Sequence, residues 1–252
     1  MSRTLRGARA LHGDDVAVAT PAFATVAPDA PSIPGYLEQV YSWAYVTPRA
    51  VETFEREWLV NAILFGNYAR LRDAALDELG RRVRGLTLQV ACVYGNLTAR
   101  LLGRLAHDAR LEVIDILPIQ IANLRAKLPA DGRVTLRQAD ASALPQPDAS
   151  VDQALLFFLL HEQPEAVRRA TLAEAMRVVR PGGRIVVVDY HRPWRGHPMR
   201  GLMRMVFHRL EPYAIDLWHH PIDAFMPRDV PPAAMIRETY FGGLYQKVVI
   251  TR

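Results

Sequence analysis

Hydrophobic and polar positions along the chain fall into three regimes. Before residue 35 the apolar residues show little periodicity and are punctuated by Pro21, Pro28, Pro31 and Pro34, which predicts a loose leader over residues 1–35. Between Gly35 and Gly80, Val51, Phe54, Trp58, Ile63, Phe65 and Leu71 recur at helical spacing among charged residues, and Pro48 stands where a helix can begin. This predicts a helical cap over residues 36–80. Beyond it, short apolar or β-branched runs (86–91, 111–115, 134–138, 151–156, 184–188) alternate with helical stretches at 96–105, 120–128 and 165–179, the pattern of βαβ units around a parallel sheet. Two last runs, 234–240 and 245–251, flank Phe241–Leu244 and predict an antiparallel hairpin that closes the sheet. Residues 192–232 interrupt the alternation as an insertion. The expected architecture is α/β: a Rossmann-like, mostly parallel sheet in one domain over residues 36–252.

Composition narrows the setting. Of 252 residues 50% are hydrophobic and 23% charged, which fits a chain that folds around a core and excludes a disordered or collagen-like one. Cys92 is the single cysteine, so neither an intramolecular disulfide nor a thiolate metal cluster can form, and the chain suits a reducing compartment. Any metal must use oxygen or imidazole ligands. The net charge of +5 is carried almost wholly by arginine, since Lys127 and Lys247 are the only lysines. That excess fits either contact with phosphate or acidic headgroups or a plain compositional bias. It is also the sole support for nucleic-acid binding, which is not expected. No apolar run reaches the length of a membrane span.

In a sheet of this kind ligands sit beyond the carboxyl ends of the strands, so the residues that end each strand carry the information. The first strand runs into Gln89-Val-Ala91-Cys-Val93-Tyr94-Gly95, where a nucleotide binder needs a tight turn and close approach. The second ends in Asp115, 20 residues after Gly95 and followed by Ile116; a carboxylate there can accept both hydroxyls of a ribose. The third ends near Asp140 and Ala141, where an acid followed by a small residue can bond an adenine amino group. Each feature alone also fits a cap or turn former.

In this order and spacing they resemble class I S-adenosylmethionine-dependent methyltransferases over about residues 85 to 190. The chain departs from that superfamily at the first strand. An acid and a Gly-x-Gly-x-Gly loop are usual there; this chain has Gln89 and then Ala91, Val93 and Gly95. Tyr41–Tyr45 before Pro48, Leu59–Leu71 with Asn61, Phe65, Gly66, Asn67 and Tyr68, Gln89–Gly95 with its altered loop, and Asp115–Asn123 resemble the rhodoquinone biosynthesis methyltransferase-like enzymes over about residues 35 to 250. The resemblance implies conversion of ubiquinone to rhodoquinone by replacement of a ring methoxy group with an amino group. S-adenosylmethionine is then the implied amino donor and manganese the implied metal. It further implies a cytoplasmic protein in peripheral contact with the inner membrane, mitochondrial in a eukaryote. An ordinary quinone or phenol methyltransferase and a non-catalytic adenosyl-binding quinone carrier stand as alternatives.

The chemistry would need a polarised quinone oxygen and an unprotonated nitrogen. Candidate groups at the later strand ends are His161 and Glu162 after the fourth strand and Asp189 and His191 after the fifth, with Tyr45 from the cap. Of these, His161, Asp189 and Tyr45 are the expected catalytic residues, and His161, Glu162 and Asp189 the expected metal ligands. A His-Glu pair opening a helix equally serves as a cap and dipole partner. His219 and His220, adjacent on one helix, point different ways and suit a surface better than a metal. From Arg192 to Leu210 there are five arginines and no acid, with Met199, Leu202, Met203, Val206, Phe207 and Leu210 on one helical face. This amphipathic stretch either lies on the sheet or touches anionic lipid.

Overall fold

The computed structural model describes residues 31–252; all but the last five residues of the expected leader lie outside them. The cap consists of α1 (Gly35–Val40), a π-helical turn (Ser42–Val46), α2 (Pro48–Phe54), α3 (Glu57–Ile63) and α4 (Tyr68–Leu79). Proline at the first position of α2 gives up no needed hydrogen bond, and Thr47 caps that helix by accepting from the Ala50 amide at 3.3 Å.

The sheet follows as β1 (Leu86–Val90), α5 (Leu97–Leu102), β2 (Arg110–Asp115), α6 (Pro118–Lys127), β3 (Val134–Gln138), β4 (Val151–Phe157), α7 (Glu165–Val178) and β5 (Val179–Tyr190). The insertion carries α8 (Arg200–Arg209) and α9 (Asp216–His219), and β6 (Ala234–Tyr240) and β7 (Tyr245–Thr251) complete the seven strands. Their order is β3-β2-β1-β4-β5-β7-β6, parallel from β3 to β5, with β7 antiparallel to both of its neighbours. The strand order reverses between β1 and β4, which fixes the ligand crevice there.

Both faces of the sheet are covered, so the central strands read as near-continuous apolar runs. One face packs on α4, α5, α6 and α8 through residues such as Leu76, Leu101, Leu124 and Phe207. The other packs on α7 and the second half of the insertion through Leu172, Met176 and Phe225. Each such fully buried side chain contributes roughly 1.5–3 kcal/mol.

Two boundaries differ from expectation. β5 begins at Val179 rather than at Arg184, because Val179 already pairs with Val151 and the Pro181–Gly183 turn is absorbed as a register shift before Gln153 meets Arg184. The amphipathic helix spans only Arg200–Arg209, since Pro193, Gly196 and Pro198 keep the preceding segment out of helical conformation. Of its apolar stripe, Met203 and Phe207 are buried while Leu202 and Leu210 face outward.

Candidate active site

A cleft with about 1330 Å³ of empty space, open solvent included, lies at the carboxyl ends of β1, β2 and β4, roofed by the cap. Its walls are mainly apolar and aromatic, and its polar groups are few: Asp115, Gln120, Asp140, His161, Glu162, Gln163 and Glu211 among them.

The donor half is organised by Asp115 and the β1–α5 loop. Asp115 ends β2 with Oδ2 accepting from the Cys92 amide (2.7 Å) and Oδ1 from the Leu117 amide (2.8 Å). Burial outweighs these bonds and pushes its carboxyl up to about 6. Asp140 accepts from the amide and hydroxyl of Ser142, at 2.8 and 2.7 Å, which orients it toward the cleft beside Ala141. Ala91, Val93, Tyr94 and Ile116 also line the cleft.

Gln89 and Gly95 are not among the residues that line the cleft; they shape the loop from behind. Gln89 is fully buried behind the loop, where its amide nitrogen donates to the Ala91 carbonyl (3.0 Å) and its oxygen accepts from Thr98 (3.0 Å). The end of β1 therefore presents no carboxylate to a ligand. Ala91 adopts φ 77°, a conformation that favours glycine and costs of order 1–3 kcal/mol for another residue. Gly95 has φ 80°, and a Cβ there would stand 2.6 Å from the Tyr68 hydroxyl, so the one glycine kept in the loop is sterically required. That hydroxyl accepts from the amides of Asn96 (2.9 Å) and Leu97 (3.1 Å) and thereby caps α5.

The cap clamps the same loop. Glu55, at the end of α2, accepts from the Gly95 amide (3.1 Å), from Lys127 (2.7 Å) and from Asn123 (2.6 Å), while Lys127 also donates to the carbonyls of Val93 and Gly95. Nothing in residue spacing pairs Glu55 with Lys127, which lie 72 positions apart; that Lys127 is one of two lysines was the available signal.

The acceptor half centres on His161, in the single turn after β4. Its Nδ1 lies 3.0 Å from Asp189 Oδ1, and its Nε2 is 3.8 Å from both Glu162 and Glu211. Asp189, fully buried at the end of β5, accepts from the amides of Leu160, His161 and Tyr190. Burial by itself depresses the imidazolium, but Asp189, with Glu211 and Glu162 behind it, outweighs that and pushes His161 up to about 9. Burial also raises the Glu211 carboxyl, against the pull of His161 and the Tyr41 hydroxyl. Arg168, wholly buried on α7, donates to the carbonyls of Leu160, Gln163 and Tyr213 and so ties the His161 turn to the insertion.

Phe158, between β4 and that turn, has φ 53° and presents its ring to the cleft among Phe157, His161, Tyr190 and Tyr245. Of the expected catalytic residues, His161 and Asp189 are thus brought together. Tyr45 falls in the π-helical turn, and its side chain lies outside the described part. His191 turns away and bonds the Gly243 carbonyl through Nδ1 (2.8 Å), and His219 and His220 are exposed.

Among the described residues no three His, Cys, Asp or Glu side chains are grouped to hold a metal ion. Nδ1 of His161 is committed to Asp189, whose oxygens are in turn committed to backbone amides. The implied manganese therefore finds no donor set in His161, Glu162 and Asp189. Glu211 was missed by sequence reasoning, although it is the first acid after the acid-free run from Arg192 to Leu210.

Residues 87–183 match a family model described as a methyltransferase domain. The chain is 34% identical over 140 residues to the ubiquinone/menaquinone biosynthesis C-methyltransferase of Syntrophotalea carbinolica, covering 54% of this chain and 56% of that protein. It is likewise 34% identical over 158 residues to the demethylmenaquinone methyltransferase of Thermus thermophilus, covering 62% of this chain and 70% of that one. The chain thus spans little more than half the length of the first of these relatives. Its fold is like that of human N-acetylserotonin methyltransferase solved with S-adenosylmethionine, with a TM-score of 0.62 over 87% of this chain and 60% of that one, at 14% identity.

Proposed function

Because the chain belongs to the class I S-adenosylmethionine-dependent methyltransferases, we propose that it uses S-adenosylmethionine to modify the ring of an isoprenoid quinone. In the finer reading the group transferred is the donor's amino nitrogen, which replaces a ring methoxy of ubiquinone to give rhodoquinone. The quinone acceptor is supported by what the two relatives' names say of them and by an apolar, aromatic cleft large enough for a substituted ring.

The observation that carries the finer reading is the altered loop at the end of β1. A carboxylate beside the donor's ammonium would hold it protonated; here Gln89 is turned away into its own loop, and Ala91 and Val93 present apolar surface instead. An ammonium placed there loses its proton more readily, because burial disfavours the charged form. A free amine is the nucleophile that substitution at a methoxy-bearing quinone carbon demands.

In this reading Asp115, steadied by the Leu117 amide, accepts from the ribose and Asp140, steadied by Ser142, accepts from the adenine, with the donor over the ends of β1, β2 and β3. The acceptor ring lies against Phe158 with a carbonyl oxygen toward His161. When the nitrogen adds, the carbonyl electron pair moves onto oxygen and takes the imidazolium proton. As the carbonyl re-forms, methoxide leaves as methanol, and the surplus N–H proton returns to His161. Asp189 keeps the ring of His161 oriented and favours the return of its proton. The donor's Cα–N bond then breaks by elimination: a proton leaves the β-carbon, the C–N electron pair stays on nitrogen, which takes up a proton, and the carbon skeleton departs as the α,β-unsaturated acid, freeing the aminoquinone.

The names of the two relatives favour a second reading, methylation of a ring carbon in the same cleft. Incubation with ubiquinone and S-adenosylmethionine labelled in its α-amino nitrogen separates the two. Label in the quinone, with loss of a methoxy group by mass, is expected. A methylated quinone with S-adenosylhomocysteine as the sole products overturns the finer reading.

A further inference from the structure

We propose that α3 and α8 form a docking surface for an anionic lipid bilayer, with the mouth of the cleft set against the membrane. Exposed large apolar side chains are not scattered over the described surface: seven of nine lie in the cap or in the first part of the insertion. On the cap side these are Trp43, Ile63 and Trp58, the last 65% exposed. Trp43 and Ile63 also line the cleft, so the apolar surface continues from the site to the exterior.

On the insertion side α8 shows Leu202, Met205 and Leu210 outward, with Met205 52% exposed. Its inner face is already satisfied by Met203 and Phe207 in the core, which leaves the outward residues half exposed at the surface. The two sides adjoin. Phe65, two residues past α3, stacks on Phe241 at 5.8 Å, and Phe241 meets His197, three residues ahead of α8, at 5.0 Å.

Charge decides the occupant. Between Leu202, Met205 and Leu210 stand the exposed Arg204, His208 and Arg209, and the whole run from Arg192 to Leu210 contains no acid. On α3, Glu57 is held by Asn96 at 2.9 Å and faces Arg72 at 3.7 Å. Apolar residues interleaved with arginine, flanked by tryptophans able to sit at headgroup level, match a membrane interface with anionic lipid. A protein interface would call instead for a well-packed apolar core with a polar rim. No helix of the described residues is long and apolar enough to cross the bilayer, so the contact lies in the interfacial plane.

The test uses the full chain and vesicles free of quinone and S-adenosylmethionine, so its outcome does not depend on the proposed reaction. Flotation with phosphatidylglycerol-containing vesicles should recover the protein. Pure phosphatidylcholine vesicles or high salt should recover about tenfold less. The double variant Leu202→Glu/Met205→Glu and, separately, Trp58→Glu should each lower partitioning by about tenfold or more while binding S-adenosylmethionine as the parent does, which certifies the fold. Brominated lipid should quench tryptophan emission in the parent. The proposal is overturned if the parent does not float with anionic vesicles, or if the variants partition as it does. It is equally overturned if the substitutions instead abolish a dimer seen by sedimentation, which would assign the surface to a second copy of the chain.

Discussion

At the ends of β2 and β3 the cleft presents carboxylates steadied by neutral donors: Asp115 by the amide of Leu117 two residues on and by that of Cys92 in the loop after the adjoining strand, Asp140 by Ser142. At the ends of β4 and β5 the arrangement is different. His161, Asp189 and Glu211 come from three separate segments and hold one another by charge, with Arg168 fastening two of those segments together. The carboxylates of the donor half only accept, and from neutral groups; those of the other half balance a charged ring that carries a proton. A site that binds one ligand common to many enzymes can rest on strand ends alone. A site that must manage protons on a particular ring needs buried ionisable groups, and these survive burial only as a mutually compensating set.

If the halves are separable, replacing a group in one should leave the other intact. The largest effect is expected from His161→Asn, which should lower turnover by about 10²–10⁴-fold with little change in S-adenosylmethionine affinity. Rapid-mix rates beside calorimetric binding check this, and an equal loss in both would break the division. Asp115→Asn should do the converse, weakening S-adenosylmethionine about a hundredfold by calorimetry through loss of a charged acceptor. Quinone binding should be retained.

Next is the pH response, where the halves should fail at opposite ends. Asp115 must be ionised to accept twice from the ribose, so S-adenosylmethionine affinity should hold above about pH 6 and fall as pH drops below it. His161 must be protonated, so the turnover rate should hold up to about pH 9 and fall above it. For stability the sign is the same: the charged His161 pair is fully present below the unfolded imidazole value near 6.5 and is lost as pH rises through 9. A turnover limb near 9 that persists in His161→Asn would refute the assignment. The smallest effect is expected for Phe158→Leu, which should raise the KM for quinone several-fold through loss of a flat aromatic partner while kcat changes less.

Much of the frame was legible in the residues. Val134–Gln138, Ala234–Tyr240 and Tyr245–Thr251 form the strands their patterns predict, because short β-branched runs bounded by turn residues have few other solutions. Asp115 and Asp140 could be placed because a parallel sheet puts each strand's last residue at the same edge. Gln89 was readable as a departure but not as a brace, since its partners Ala91 and Thr98 depend on which way the loop turns. Glu55 and Glu211 reach the site across long stretches of chain, and Arg168 joins the nearby His161 turn to Tyr213, 45 residues on; no local periodicity encodes such meetings. Leu202 and Leu210 were read onto a single apolar face with Met203; the core accepts only the part of that face that fits beneath it.

The clasp made by Glu55 bears on timing. One carboxylate joins the end of α2, the ammonium of Lys127 and the backbone amide of Gly95. The roof of the cleft therefore cannot rise without uncovering that amide to water, and whatever opens a way in for a bulky lipid also loosens the loop beside the nucleoside. Hydrogen–deuterium exchange at the single peptide N–H of Gly95 becomes a gauge of how often the door opens. A chain whose roof stayed shut between turnovers would show that proton as slow to exchange as those of the central strands.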